Sequence, residues 1–235
     1  MISVKKLDYA LLQQINHTNS KYLAKTDVIQ RDYYLNSALD YMTETLANLV
    51  ENNDLITQHL KPIIIRNAEL PLEDKGEYFR GQVPANFYKP MSLYVIASKE
   101  GCATPRRFKV RRPSSEKLQD GLKNSTVRRF WDFEETLATI SSEGFDFYKE
   151  EGVTYKAYLD YIRRPQYVAN VTGVHPKIYQ DPSGDILTED QHLELDHPDV
   201  WARIVSLAAL NIKNDYSEIK DYQTQRDKLT TIERL

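Results

Sequence analysis

The chain has 235 residues, 41% of them hydrophobic and 28% charged, with a formal net charge of −3. That length buries one substantial core or two small ones, and the balance of residue types fits a soluble folded protein. Residues 2–12 lack an apolar run of signal length, no stretch approaches the ~18 apolar residues of a membrane span, and the single cysteine, Cys102, excludes an internal disulfide framework or multi-cysteine zinc site and fits a reducing compartment.

Residues 1–25 read as a polar N-terminal arm, followed by a single elaborated domain over 26–235. A long helix is predicted over 27–52. Asp27 with Gln30 three residues on makes a capping-box pattern, and Leu35, Leu39, Met42, Leu46 and Leu49 recur at spacings of four and three. The stripe is narrow and needs neighbours to cover it; a coiled coil would need three to four sustained heptads, which are not present. A second short helix, 54–60, ends at Lys61-Pro62.

From about residue 77 the pattern changes to short aromatic and β-branched runs bounded by proline: "YFRGQVP", "MSLYVIAS", "RFKVRRP". These are predicted strands of an antiparallel region spanning 77–172. "FDFYKEEGVTYKAYLDYIRRP" carries the clearest hairpin signal, two alternating runs flanking Glu150, Glu151 and Gly152. In its second strand Val153, Tyr155, Ala157, Leu159 and Tyr161 share one face, and Glu150 and Glu151 are placed in a solvent-exposed turn, a poor setting for paired catalytic carboxylates.

The last part, 196–235, returns to helix. Asp196 or His197 caps a helix with Pro198 in its first turn, and Val200, Trp201, Ile204, Val205, Leu207, Ala208, Leu210 and Ile212 leave it little polar surface. Asp215 with Glu218 makes a further capping box, so a second helix bearing Tyr216, Ile219, Tyr222, Leu229 and Ile232 is expected, completing a helical hairpin whose outer arm lies on another subunit. The fold class expected is α+β: a long N-terminal helix, a central antiparallel β region with a hairpin, and a C-terminal helical hairpin.

Chemistry is thinly represented. Only 8 glycines occur where average usage of ~7% gives roughly 16, and neither GxGxxG nor GxxxxGK[ST] is present, which removes the usual phosphate-cradling loops. There is no G-x-S-x-G elbow. Cys102 has no histidine within 40 residues, so a Cys/His nucleophile would have to be assembled by folding. Asp181, Ser183 and Asp185 imitate the opening of a calcium loop, but Ile186 stands where glycine is required and His192 where glutamate is required. His192, Glu194, Asp196 and His197 are a second metal candidate, weakened by a histidine spacing that does not share one helix face. No catalytic residue, metal ligand or cofactor is assigned.

The surface-forming residues are more informative. Tyrosine is abundant, at 16, and it packs through its ring while keeping its hydroxyl wet, as macromolecular contacts require. Charge is unevenly spread: 11 basic and 12 acidic residues over 1–104, 9 and 2 over 105–129, and 11 and 20 over 130–235. The basic belt centres on "RRFKVRRP". As a strand it projects Arg107, Lys109 and Arg111 from one face, with Arg106 and Arg112 at its ends and Phe108 and Val110 anchoring the other face; Lys117, Lys123, Arg128 and Arg129 extend the belt through a helix-capable connection. Such a surface neutralises phosphates without reading bases, docks an acidic protein patch, or is a solvated edge strand guarded by its own charge.

"TYKAYLDYIRRPQYVA" followed by "LELDHPDVWARIVSLAALNIKNDYSEIKDYQTQ" resembles virion proteins of tailed bacteriophages, most nearly the head-to-tail connector or ring proteins of crAss-like phages. The resemblance covers mainly residues 145–228 and implies a non-enzymatic structural protein: a homomeric, twelve-fold ring between portal and tail, in the neck or tail of a virion made in the host cytoplasm. Its implied partners are copies of itself, the portal protein and adjacent tail or ring proteins, with no membrane and with non-specific DNA contact only where a surface lines the channel. Tyr161, Arg163, Arg164, Trp201, Tyr216 and Tyr222 are the subunit-interface residues it suggests. The runner-up is a phage-encoded nucleic-acid-binding accessory protein.

Overall fold

A computed structural model describes residues 1–18, 26–50, 54–112, 130–141, 143–173, 179–180 and 186–232, the last stretch as backbone alone beyond Asp215. In chain order the elements are α1 (Val4–Thr18), α2 (Val28–Leu49), α3 (Asp54–Leu60), β1 (Ile64–Leu70), β2 (Leu72–Asp74), β3 (Tyr78–Gly81), β4 (Phe87–Lys99), β5 (Arg106–Arg111), α4 (Phe130–Phe133), β6 (Glu135–Ser141), β7 (Gly144–Tyr148), β8 (Val153–Arg163) and α5 (Pro198–Ile232). They divide into two compact units: a helical unit made of Met1–Ile63 with Pro165–Leu235, and a β unit, Ile64–Arg164.

In the helical unit, α5 packs against both α1 and α2. The first residues, expected as a polar arm, are instead a folded helix: Val4, Leu7, Leu11 and Ile15 recur every three or four residues on one face of α1 and are all buried. Asp27 caps α2, accepting the Gln30 N–H at 2.7 Å while the Gln30 side chain accepts the Asp27 N–H. Leu35, Leu39, Met42 and Leu46 are buried, whereas Leu49, at the last turn, is exposed. The segment after residue 165 is pinned to α2 by its backbone: Asn36 exchanges side-chain hydrogen bonds with the Val168 N–H and C=O, and Asp32 accepts the Asn170 N–H.

The eight strands of the β unit form one sheet in the order β1-β8-β4-β5-β6-β7-β3-β2. The strands at its two ends, β1 and β2, are consecutive in sequence with only Pro71 between them, so both edges meet at one corner and the sheet curls into a nearly closed, barrel-like form. The interior is filled by side chains from all around it, among them Leu93, Phe108, Phe145, Phe147, Tyr155 and Leu159, so it is a packed core and not a pore. Gly144 is required there: with φ +148°, a Cβ on it would sit 2.2 Å from the Gly81 carbonyl oxygen.

The expected fold class is therefore overturned. The β region is mixed, because β5 and β6 run parallel. The predicted hairpin does not exist: β7 pairs with β6 and β3, and β8 pairs with β4 and β1, so the turn at Gly152 joins strands that are not neighbours. An alternating pattern with a glycine turn reports two strands and a reversal, but not which strand each will pair with. The long β4 offers eleven residue partners to β8, and that register wins. No helical hairpin closes the chain. α5 runs unbroken through 35 residues, because no glycine or proline interrupts it after Pro198, and Asp215, expected to cap a second helix, accepts a hydrogen bond from the Tyr34 hydroxyl at 2.6 Å.

Candidate functional site

The cationic run forms β5, which pairs with β4 on one side and β6 on the other. It is an interior strand of the sheet, which removes the reading of a charge-guarded edge. Phe108 is fully buried in the core, and Arg106, Arg107, Lys109, Arg111 and Arg112 are exposed. Strand alternation alone sets this: with period two, Phe108 and the half-buried Val110 face inward, so Arg107, Lys109 and Arg111 must face out.

The outer face is organised around a stack. The Arg107 guanidinium lies 3.9 Å from the centre of the Tyr94 ring, and Tyr94 in turn stacks on Tyr158 with ring centres 5.2 Å apart and planes 17° from parallel. These residues come from β5, β4 and β8, adjacent strands whose register sets Tyr94 opposite Tyr158. The stack is tethered at its tip: the Tyr94 hydroxyl donates to Asn67 Oδ1 at 3.0 Å, the Asn67 N–H donates to Asp160 Oδ1 at 2.6 Å, and the Ser92 hydroxyl donates to Asp160 Oδ2 at 2.8 Å.

Two consequences follow. Both faces of Tyr94 are taken, one by Arg107 and one by Tyr158, so it offers no platform on which a base can stack. Arg107, exposed and resting on the ring, retains the planar set of N–H donors that carboxylates and phosphates accept in pairs. Arg106 lies over Trp131 at 4.7 Å and 3.7 Å from Glu134, and Arg111 is paired with Glu135 at 2.7 Å. Among the described residues, Arg107 and Lys109 have no carboxylate partner. The remaining belt residues, Lys117, Lys123, Arg128 and Arg129, lie outside the described residues.

One end of the barrel carries an open cavity of about 800 Å³ beside the turns at 74–76, 99–100 and 149–152. Both lysines that line it are paired with carboxylates: Lys149 with Asp74 at 2.6 Å, and Lys99 with Glu150 at 2.9 Å. The Lys149 hydrogen bond draws the Asp74 carboxyl below its ordinary range, and Glu150 raises the Lys99 ammonium. Glu150 also accepts the Trp131 N–H at 3.1 Å, so it is a tied structural residue and not the solvated turn acid expected. The pairs brace the barrel mouth, and among the described residues they occupy both of its lysines.

The metal candidates are dispersed. His192 Nδ1 accepts the Val4 N–H at the start of α1, Glu194 accepts the Gln166 N–H, Asp196 holds the N-terminal ammonium at 2.8 Å, and His197 packs against His59 with ring centres 4.0 Å apart. No group of three potential ligands meets among the described residues, and Asp181, Ser183 and Asp185 lie outside them. Cys102 is exposed in the β4–β5 turn, in a unit whose sequence contains no histidine.

The helical unit holds a buried polar cluster without a sequence signature. Arg31 grips Asp8 through two hydrogen bonds, at 2.5 and 3.2 Å, and donates to the Thr26 carbonyl. Asp32, 1% exposed, accepts the Tyr179 hydroxyl and the Asn170 N–H on one oxygen, while Oδ1 has no partner among the described residues. Burial raises its pKa, against the opposing pull of those hydrogen bonds. Desolvation and the adjacent carboxylate raise the Tyr179 phenol as well.

The suggested interface residues fall in different settings. Tyr161, 4% exposed, is a core residue of the β unit with its hydroxyl on Asn86, so it is closed to any partner. Arg163 is half-buried and Arg164 exposed at the end of β8. Trp201 is half-buried beneath the Lys6 ammonium, 5.2 Å from its ring centre. Tyr216 and Tyr222 lie on α5 where the backbone alone is described. The exposed tyrosines that sequence reading missed include Tyr9 on α1, Tyr33 and Tyr41 on the outer face of α2, and Tyr167 beside the latter two; a hydrophobic-stripe reading of a helix passes over the residues opposite the stripe.

No protein-family model matches the chain, and no curated protein matches it.

Proposed function

We propose that the chain is a non-enzymatic structural protein of a phage head-to-tail connector, assembling with copies of itself into a ring between portal and tail. The observation that carries the reading is the opposite charge of the two units. The helical unit has 13 basic and 19 acidic residues, net −6, and the β unit has 18 and 15, net +3. A chain with one acidic and one basic body favours contact between unlike surfaces of successive copies, and such head-to-tail contacts close into rings when the rotation between copies is right. The exposed Arg107 guanidinium and the Lys109 ammonium supply cations for that contact, and the resemblance of residues 145–228 to connector proteins supports the same assignment.

Analytical sedimentation and negative-stain microscopy at modest salt test it. Discrete closed oligomers, or co-sedimentation with a portal, are the expected result, and dissociation as salt rises follows from the charge basis of the contact. A monomer at all concentrations overturns it. A second reading, a nucleic-acid-binding accessory protein, is favoured by the same cationic strand; it requires duplex affinity that falls steeply with salt and a slope that flattens when Arg107, Lys109 and Arg111 are replaced.

A further inference from the structure

We infer that the acceptor of β5 in the neighbouring copy is the outer face of α2. The inference rests on the ring reading and adds the surface on which one copy engages the next.

The solvent face of α2 carries Tyr33, Ser37, Asp40, Tyr41 and Glu44, all within about a third of the helix circumference at 100° per residue. Tyr33 is 68% exposed and Tyr41 59%, among the most exposed large side chains of the molecule. Tyr167, also exposed, adds a third ring to the patch by donating its hydroxyl to Asp40 at 2.7 Å. Among the described residues neither Asp40 nor Glu44 has a cationic partner. A helix face that shows tyrosine rings and unneutralised carboxylates to water is suited to guanidinium and ammonium groups, which take the ring faces and the carboxylates together.

The β5 surface has the complementary form. Arg107 and Lys109 are outward cations of the strand itself without a carboxylate among the described residues, as is Arg112 just beyond its end, and Arg107 lies against Tyr94. Alternate residues of a strand are about 6.8 Å apart. Four residues of a helix rise about 6 Å, so Asp40 and Glu44 repeat at nearly the spacing of Arg107 and Lys109. The helical unit supplies the acidic side and the β unit the basic side, in keeping with their net charges of −6 and +3. Duplex DNA would match the cations of β5 but would leave the tyrosine–carboxylate face of α2 bare, so a second copy accounts for both surfaces.

The test begins with the intact chain. Heavy- and light-isotope proteins are mixed under assembly conditions, coupled with a carbodiimide, which joins an amine to a carboxylate it contacts, and digested for mass spectrometry. A mixed-isotope peptide linking Lys109 to Asp40 or Glu44 is expected. In parallel, Arg107→Glu with Lys109→Glu, and separately Asp40→Lys with Glu44→Lys, each weaken assembly about a hundredfold or more, because like charges then face each other. All four changes in one chain restore assembly, which also shows that the singly reversed proteins had not merely misfolded. Wild-type rings without the Lys109 link, or rings that survive either reversal, overturn this contact and leave the ring reading standing. A wild type that never assembles removes both. Rings unaffected by the β5 reversal while duplex binding is abolished assign that strand to phosphate.

Discussion

The two units use the same residue types in opposite ways. In the β unit most of the large aromatic side chains face inward, the Tyr94–Tyr158 stack on the outer face apart: Tyr155 and Tyr161 sit with Phe108, Phe145 and Phe147 in a packed interior, and burial pushes the Tyr155 phenol up to about 12. The charges are outside, in cross-strand pairs and stacks. In the helical unit aliphatic residues make the core, tyrosines Tyr33 and Tyr41 stand in water, and charge is taken inside, where Arg31, Asp8 and Asp32 cluster. Geometry explains the difference. A barrel interior alternates with its exterior, so the inward positions are mostly apolar, although Thr136 is fully buried as well, and the cations are thrown outward. Helices packed against irregular backbone such as that at 165–170 must satisfy its N–H groups, and buried carboxylates such as Asp32 do so.

That contrast can be broken at several points. The largest effect is expected at Gly144→Ala, where the added Cβ meets the Gly81 carbonyl oxygen and the backbone is already in a glycine conformation; about 3 kcal/mol or more should be lost, read from urea unfolding by Trp131 fluorescence in a Trp201→Phe background. In the helical unit Arg31→Leu strands Asp8 and the Thr26 carbonyl, at an expected cost of about 3 kcal/mol, measured through Trp201 with Trp131→Phe. Leu7→Ala should cost about 2–4 kcal/mol, as for any fully buried leucine; a near-zero value would mean that α1 is not part of the fold.

A pH series sharpens the comparison further. Asp32 has a folded-state pKa raised above its unfolded value of 3.8, so the fold holds that proton more tightly and the associated stability is greatest below 3.8 and disappears as pH climbs through the folded value. Asp32→Asn should therefore gain on the wild type as pH rises across that window, monitored by thermal unfolding at matched ionic strength. Arg107→Ala is expected to change stability least, by about 0.5–1 kcal/mol, since only an exposed cation–π contact is removed. Its consequence belongs to assembly instead.

Local features were readable in the sequence and their partners were not. The capping box at Asp27 and the inward set on β8 follow from spacing alone, and both are present. α1 was legible in principle, since Val4, Leu7, Leu11 and Ile15 keep a helical period, but the lysines and glutamines between them give the segment a polar look. β1 was hidden by its own bulge: Asn67, at φ +54°, breaks the alternation between Ile65 and Ala68. The parallel β5–β6 pair, the crossing from β7 to β8 and the continuity of α5 are choices among long-range partners, on which local patterning is silent. Of the candidate surface, the cations of β5 were visible in the sequence. The stack that orients Arg107 depends on Tyr94 and Tyr158 being brought together from residues 64 apart, which no spacing rule shows.

The β unit begins at Ile64 and ends at Arg164, and its first and last strands pair with Ile64 beside Ile162. Its two connections to the helical segments thus leave side by side, in the manner of a cassette inserted into a host fold. During synthesis the cassette emerges whole while α1 and α2 still await α5, more than a hundred residues downstream. The barrel is then free to close first, and the final helix acts as the latch that completes its host.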